Sequence, residues 1–382
     1  MLVLVANLGS TSFKFKLLDM ESGGRELARG GYERIGQSGS PYPSHGHVID
    51  VILADLGGQG LRPEAIGFKA VHGGPISGAV RVTDEVIATM EHFADVAPAH
   101  NPPYIAAMRA FHEKVPGVPQ VAAFETAFHQ TIPMSRLVYA IPHEWTEKLG
   151  IRRYGFHGAS HRYIATRVPE LVGKEKSRRI ISCHLGGSCS ICAIEDGKSV
   201  ANSFGMTAQS GVLHNNRVGD FDTFALLKLT KHGYTLDDIF KKLGKEGGLL
   251  GMSGVSNDMR DVEKAAAEGN ARAKLAVDAF VESVRSFIGQ YLVALGGCDV
   301  LAFTGGIGEN GVALRTAICH NLQWAGIALD EQKNQVRGKE QKISRDDSPA
   351  QVWIVPTNEE LIVARQTVEV LVSSQMSVVS CQ

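Results

Sequence analysis

Residues 1–19 read MLVLVANLGSTSFKFKLLD, and residues 180–195 read IISCHLGGSCSICAIE. Met1–Asn7 is a hydrophobic strand, Gly9-Ser10-Thr11-Ser12 a small polar turn, and Phe13–Leu18 a second, alternating strand. The same order returns in Ile180–His184, Gly186-Gly187-Ser188 and Ser190–Ile194. In both copies a Leu-Gly pair joins strand to turn, and a Gly-bearing turn follows the second strand. The copies lie about half a chain length apart, far beyond the period of a short-repeat solenoid. One hairpin module used twice predicts two related α/β halves with a cleft between them.

The remaining composition accords with that reading. With 382 residues and roughly 150 residues per domain, two or three domains are expected. A net charge of −1 provides no global field for nucleic acid or an anionic membrane. No run approaches the ~18 apolar residues of a membrane span. The start lacks the basic head and cleavage site of a signal peptide. Of the six cysteines, Cys189 and Cys192 form one CxxC, and no second pair exists to complete a structural zinc. Reduced thiols in a cytoplasmic protein are expected. Glycine is abundant, at 42, and clusters at the ends of short apolar runs, where backbone turns sharply or approaches something closely.

Periodicity predicts helices over Thr83–Val96, Tyr104–Val115, Ala159–Val172, Thr223–His232 and Leu236–Leu243. The longest spans Asn270–Leu295, with Leu275, Val277, Phe280, Val284 and Ile288 read as its apolar stripe. Ala97–Pro103 is read as loop because of its prolines. Short strands are expected at Pro119–Phe124, Val300–Phe303 and Val352–Val355. A glycine turn, Thr304–Gly311, should precede a helix. Thr357 and Glu360 have capping-box spacing for a closing helix ending near Ser374.

Several motifs carry chemistry. Gly306-x-Gly308-x-x-Gly311 matches the dinucleotide fingerprint, but too little chain follows to build the rest of such a domain. A glycine segment passing under a nucleotide is the better reading. The polar turns at Asn7–Lys14 and His184–Ser188, one per half, could grip a polyphosphate with backbone N–H groups. His157 and His161 have HxxxH spacing without a third nearby ligand, which disfavours zinc. Glu125 ends a strand, a placement suited to metal or substrate and equally to a helix N-terminal region. Arg217 lies in a loop, where a lone arginine is ordinarily solvated.

Taken together, these segments resemble the acetate kinase family of the sugar kinase/Hsp70/actin superfamily. They are NLGSTSFKFKLLD (7–19), VHGG (71–74), APAHNPP (97–103), FETAFHQTIP (124–133), YGFHGASH (154–161), HLGGSCS (184–190), NNRVGD (215–220), SGVSNDMRD (253–261), FTGGIGEN (303–310) and PTNEE (356–360). The resemblance implies an α/β fold of two actin-like (ribonuclease H-like) domains with a central nucleotide cleft. The N-terminal domain would be 1–130 plus about 361–375. The C-terminal domain, 131–360, would carry the nucleotide and dimer side.

The implied reaction is reversible phosphoryl transfer from ATP to acetate or a similar short carboxylate, with Mg²⁺, or Mn²⁺ in its place, in a cytoplasmic homodimer. The implied catalytic residues are Glu125, His157 and Arg217. Lys69, Val71, His100 and Phe156 would bind substrate. Asn7, Ser10, Ser12, Lys14, His184, Gly186, Gly187, Gly305, Gly306, Ile307 and Gly308 would bind nucleotide and phosphates, and Asn7 and Glu359 the metal.

Departures from the family pattern stand beside these. Lys69 replaces an arginine, Glu125 an aspartate, and Gly187 the asparagine of an HLGNG turn; Ala201 replaces an acid. Ala99 and Ala208 stand where a leucine and a proline close the acyl pocket, which implies room for propionate, butyrate or another larger acid. A catalytically silent nucleotide-binding homologue and a pyrophosphate-dependent enzyme are the alternatives.

Overall fold

The computed structural model describes residues 1–94 and 101–379, the side chains of 374–379 excepted. Its chain divides into two units, Met1–Gln130 with the stretch from Asn358, and Thr131–Thr357.

In the first unit, β1 (Leu2–Gly9), β2 (Ser12–Asp19), β3 (Arg25–Glu33), β4 (Ala65–Ala70), β5 (Ala79–Arg81) and β6 (Gln120–Phe124) form one sheet in the order β3-β2-β1-β4-β6-β5. In the second, β7 (Arg179–Leu185), β8 (Cys189–Glu195), β9 (Lys198–Asn202), β10 (Val300–Thr304), β11 (Gln341–Lys342) and β12 (Gln351–Ile354) form another, β9-β8-β7-β10-β12-β11. Strand for strand the order is the same. The orientations match as well: the first three strands are antiparallel, the central pairs β1–β4 and β4–β6, like β7–β10 and β10–β12, are parallel, and the last pair is antiparallel. The repeated hairpin led to the expectation of two related α/β halves, and the shared strand order bears that out.

Residues Val3–Ala6 and Ile180–Cys183 are wholly buried because each strand is central and covered on both faces, which explains why they are apolar apart from Ser182. The first core gathers Leu4, Phe13, Phe68 and Phe111 under the helices His45–Gly58 and Asn101–Lys114. The helix Glu359–Val379 packs on β1, β4, β5 and β6. It approaches closely because Gly67 lacks a Cβ, which would otherwise lie 2.4 Å from Thr367 Oγ1. The second core is organised by the helix Ala271–Leu295, whose Phe280, Val284 and Ile288 are buried.

Four expectations need correction. Asn101-Pro102-Pro103 form the first turn of a helix and are not loop; first-turn N–H groups have no intrahelical partner, so proline loses nothing there. Leu275 is 60% exposed and does not join its helix's buried stripe. The glycine segment after β10 is itself helical, Gly305–Asn310. The closing helix is capped by Asn358, whose Oδ1 accepts from Leu361 N–H at 3.3 Å, and not by Thr357; it also runs past Ser374 to Val379. His100 and Ala99 lie outside the described residues.

Candidate active site

In the first unit the chemistry gathers at the C-terminal ends of β4 and β6. Lys69, on β4, has a side chain only 18% exposed, and its ammonium lies 3.4 Å from Glu125 Oε1 while also contacting Glu359 Oε2. Burial alone would lower the pKa of this lysine. The two carboxylates outweigh that effect and hold it well above the ordinary lysine range, so it stays charged. Tyr104 seals the floor: its hydroxyl accepts from Leu8 N–H at 3.0 Å, and burial pushes its phenol up, so it stays neutral.

Asn7 pairs across the hairpin with Lys14, which is exposed on β2. Ser10 is exposed and Ser12 half-buried. A Cβ on Gly9 would come within 2.6 Å of Ser12 Oγ, so glycine lets the Ser12 hydroxyl lie over the turn. His45 Nε2 lies 3.1 Å from Gly9 O and holds the turn from behind. Val71 is half-buried against the first core.

The second unit assembles a histidine–serine chain. His161 Nδ1 and Nε2 lie 2.8 Å from Ser182 Oγ and Ser190 Oγ, and Ser190 Oγ is also 2.8 Å from His157 Nδ1. A hydroxyl has one proton and two lone pairs, so Ser190 donates to at most one of the two rings. Ser190 thus links the rings of His157 and His161 through one oxygen. His157 has a left-handed backbone, φ 57°, and its ring lies 4.0 Å from that of His184, centroid to centroid. His184 Nδ1 is held by Ser160 Oγ at 2.8 Å. Phe156 is buried edge-on against Phe204.

Beside these rings lie the glycines. A Cβ on Gly186 would sit 3.7 Å from His184 Nε2 and 3.9 Å from Gly306 N, so the β7–β8 turn and the start of the helix Gly305–Asn310 form one continuous backbone surface. Gly187 and Gly306 are exposed on it. Gly305 has φ +77°, and a Cβ would come within 2.7 Å of Leu185 O, so no other residue fits. Glu309 Oε1 accepts from Gly305 N–H at 2.9 Å, and Ile307 packs against the second core.

Arg217 is only partly solvated. It is half-buried, with Nη1 donating to Ala208 O at 2.6 Å, and burial lowers its pKa. His214 stacks on Phe204, accepts from Cys189 N–H at Nδ1 (3.0 Å) and faces Ser210 O with Nε2 (3.3 Å). Burial, together with the Arg217 charge, pushes its pKa down to about 3, so it is neutral with its proton on Nε2.

Sequence reasoning missed the supports. Arg315 is fully buried and bonds Gly308 O at 2.8 Å, Asn334 Oδ1 and two further carbonyls, tying down the glycine helix. Nothing in a helical arginine signals that. Ser190, Ser182 and Ser160 alternate with the histidines in the motifs already quoted, but a serine beside a histidine is too common to be a signal.

A model described as the acetokinase family matches residues 2–365. The acetate kinase of Dictyoglomus turgidum is 44% identical, across 97% of this chain and 98% of that protein, and that of Dictyoglomus thermophilum is 45% identical, across 97% and 99%. Among solved structures, Porphyromonas gingivalis acetate kinase superposes with a TM-score of 0.90 at 39% identity, covering 97% of this chain and 99% of its own. A propionate kinase from Francisella tularensis does so with a TM-score of 0.90 at 35% identity, covering 96% and 99%. The match takes in both sheets, the Lys69–Glu125–Glu359 cluster and the histidine–serine chain: the chain belongs to the acetokinase family.

Proposed function

We propose that this chain is an acetate kinase: it transfers the γ-phosphoryl group of ATP to acetate or a similarly short carboxylate, reversibly, giving ADP and an acyl phosphate. A carboxylate oxygen forms the new bond to γ-phosphorus as the bond to the β–γ bridging oxygen breaks. Such a transfer needs positioning and charge compensation more than covalent help. The observation that carries this reading is the convergence of His157, His184 and the Gly186–Gly306 backbone on one surface, in a family of carboxylate kinases.

On this reading His157 and Arg217 donate to the phosphoryl oxygens in flight, and Ser190 keeps His157 turned toward them. His184, Gly186 and Gly187 hold phosphates, with Asn7, Ser10, Ser12 and Lys14 contributing from the first hairpin. Gly305, Gly306, Ile307 and Gly308 line the adenosine side. Lys69, Val71, Phe156 and His100 receive the acid, and Glu125 holds Lys69 in place.

Mg²⁺, or Mn²⁺ in its place, fits the donors: Asn7 and Glu359 offer hard oxygens, and two carboxylates converge at Lys69. Among the described residues no group of three or more His, Cys, Asp or Glu is arranged for a metal, which suits an ion that takes its other ligands from water and phosphate. When bound, the ion would neutralise phosphate charge.

Ala208 favours a second substrate range. By the family resemblance a proline would stand there, and the smaller side chain lies on a residue whose carbonyl accepts from Arg217 Nη1, so acids larger than acetate, such as propionate or butyrate, are substrates on this reading too. A homodimer formed through the second unit fits its exposed Phe224, Leu227, Leu236 and Phe240. A cytoplasmic site fits the free thiols of Cys183, Cys189, Cys192, Cys298 and Cys319, and among the described residues no helix is long and apolar enough to cross a membrane.

The test is acyl phosphate formation, trapped as the hydroxamate, over acetate, propionate and butyrate with ATP, GTP and pyrophosphate as donors. Transfer from ATP to at least one acid is expected, lost in Arg217→Ala. ATP binding without transfer to any acid would identify a silent homologue instead.

A further inference from the structure

The turn between β7 and β8 is held from outside by the loop 214–217. Cys189 N–H donates to His214 Nδ1 at 3.0 Å, and Asn215 N–H to Gly187 O at 3.4 Å. Leu249 and Leu250 N–H fix the loop from behind, bonding His214 O and Asn215 O at 2.9 Å each. This strap brings the Asn215 side chain to the turn. A Cβ built on Gly187 would lie 3.8 Å from Asn215 Nδ2, with no closer neighbour among the described residues. Asn215 Oδ1 is buried and has no hydrogen-bond partner. A buried amide oxygen left unpaired is costly, and such a group calls for a partner from outside the chain. Gly187, beside it, is exposed and carries no side chain. It stands where the resemblance noted above places an asparagine.

We infer that Asn215 is a phosphate-binding residue: from the strap, it delivers to the phosphate chain of a nucleoside triphosphate the carboxamide that position 187 lacks. The group has moved from the turn to the loop that clamps it, and the surface keeps its side-chain donor. Nδ2 supplies two N–H donors suited to phosphate oxygens, and Oδ1 accepts from a hydroxyl or a water carried in with the ligand. The glycine at 187 and the asparagine at 215 are then one paired change, and neither is a loss of function.

This inference rests on reading the β7–β8 turn as a phosphate site, so the wild-type chain is measured first. ATP affinity by calorimetry, the KM values for ATP and acetate, and the melting temperature are compared across wild type, Asn215→Gly, Asn215→Asp and the double variant Gly187→Asn/Asn215→Gly. Loss of one hydrogen bond to a charged group predicts an ATP KM raised about 10-fold or more in Asn215→Gly, with the acetate KM unchanged. Asn215→Asp keeps the shape but sets a negative charge against phosphate, and should bind ATP more weakly still. The double variant should recover most of the lost affinity.

Unchanged ATP affinity in the folded Asn215→Gly or Asn215→Asp protein overturns the inference, as does a folded double variant no better than the single one. If wild type binds no ATP, the functional reading has failed and takes this inference with it. If wild type transfers phosphoryl groups and the Asn215 series is silent, the inference alone has failed.

Discussion

His214 is neutral, stacked and bonded through both ring nitrogens, and this gives the fold an acid-sensitive point. Its pKa is about 3 in the folded chain against 6.5 for an ordinary histidine. The unfolded chain therefore binds the extra proton first. His214's contribution is complete above pH 6.5 and falls as the pH drops toward 3, by about 1.4 kcal/mol per pH unit. Urea unfolding at pH 7.5 and pH 5 should show this loss, and His214→Gln should have a shallower acid slope than wild type. An equal slope would remove His214 from the account.

Lys69 acts in the opposite sense, as the cation that lets Glu125 and Glu359 sit together. Lys69→Met leaves two like charges facing each other in a poorly solvated place, and should destabilise the first unit by about 3–5 kcal/mol in denaturant titrations. Lys69→Arg keeps the charge and should recover most of that stability.

At the scale of elements, the helix Gly305–Asn310 depends on one position. Gly305→Ala combines a left-handed φ with a Cβ driven into the Leu185 backbone, so it should lower the melting temperature and abolish ATP binding together. Retained ATP affinity in that variant would mean that this helix does not form the nucleotide surface. Elements with a strong local pattern were legible in the sequence. Both hairpins showed themselves through largely apolar runs followed by Leu-Gly, and the long helix through Phe280, Val284 and Ile288.

What stayed hidden depends on partners distant in the chain or on a choice between adjacent caps. Pro102 and Pro103 look like helix breakers until the helix is seen to start beneath them. Thr357 and Asn358 are equally plausible caps, and only the geometry selects Asn358. In the candidate site, His157 drew attention by its HxxxH spacing with His161, whereas His184 and Arg217 were named through the family resemblance, a lone loop arginine carrying no local signal. Arg315, Ser190 and Asn215 were not legible, because each works through a contact 7 to 33 residues away or across a turn.

For the molecule as a whole, the two sheets share one strand order, while the second unit alone exposes Phe224, Leu227, Leu236 and Phe240. Light scattering should give about twice the 41.1 kDa chain mass, and Leu227→Glu with Phe240→Glu should reduce it to one chain. A monomeric wild type would remove the proposed dimer.

The two units also differ in how the chain is spent on them. Thr131–Thr357 is continuous, but the first sheet is finished by a helix drawn from the far end, with Ile362, Val363, Ala364 and Thr367 buried at its centre. During synthesis the first six strands leave the ribosome long before the segment that covers β4, so the earliest part of the chain to appear is the last able to complete its core. Until then its apolar strands need shelter from one another and from neighbouring nascent chains, and a ribosome stalled before Asn358 would release a product with one finished half and one adhesive one.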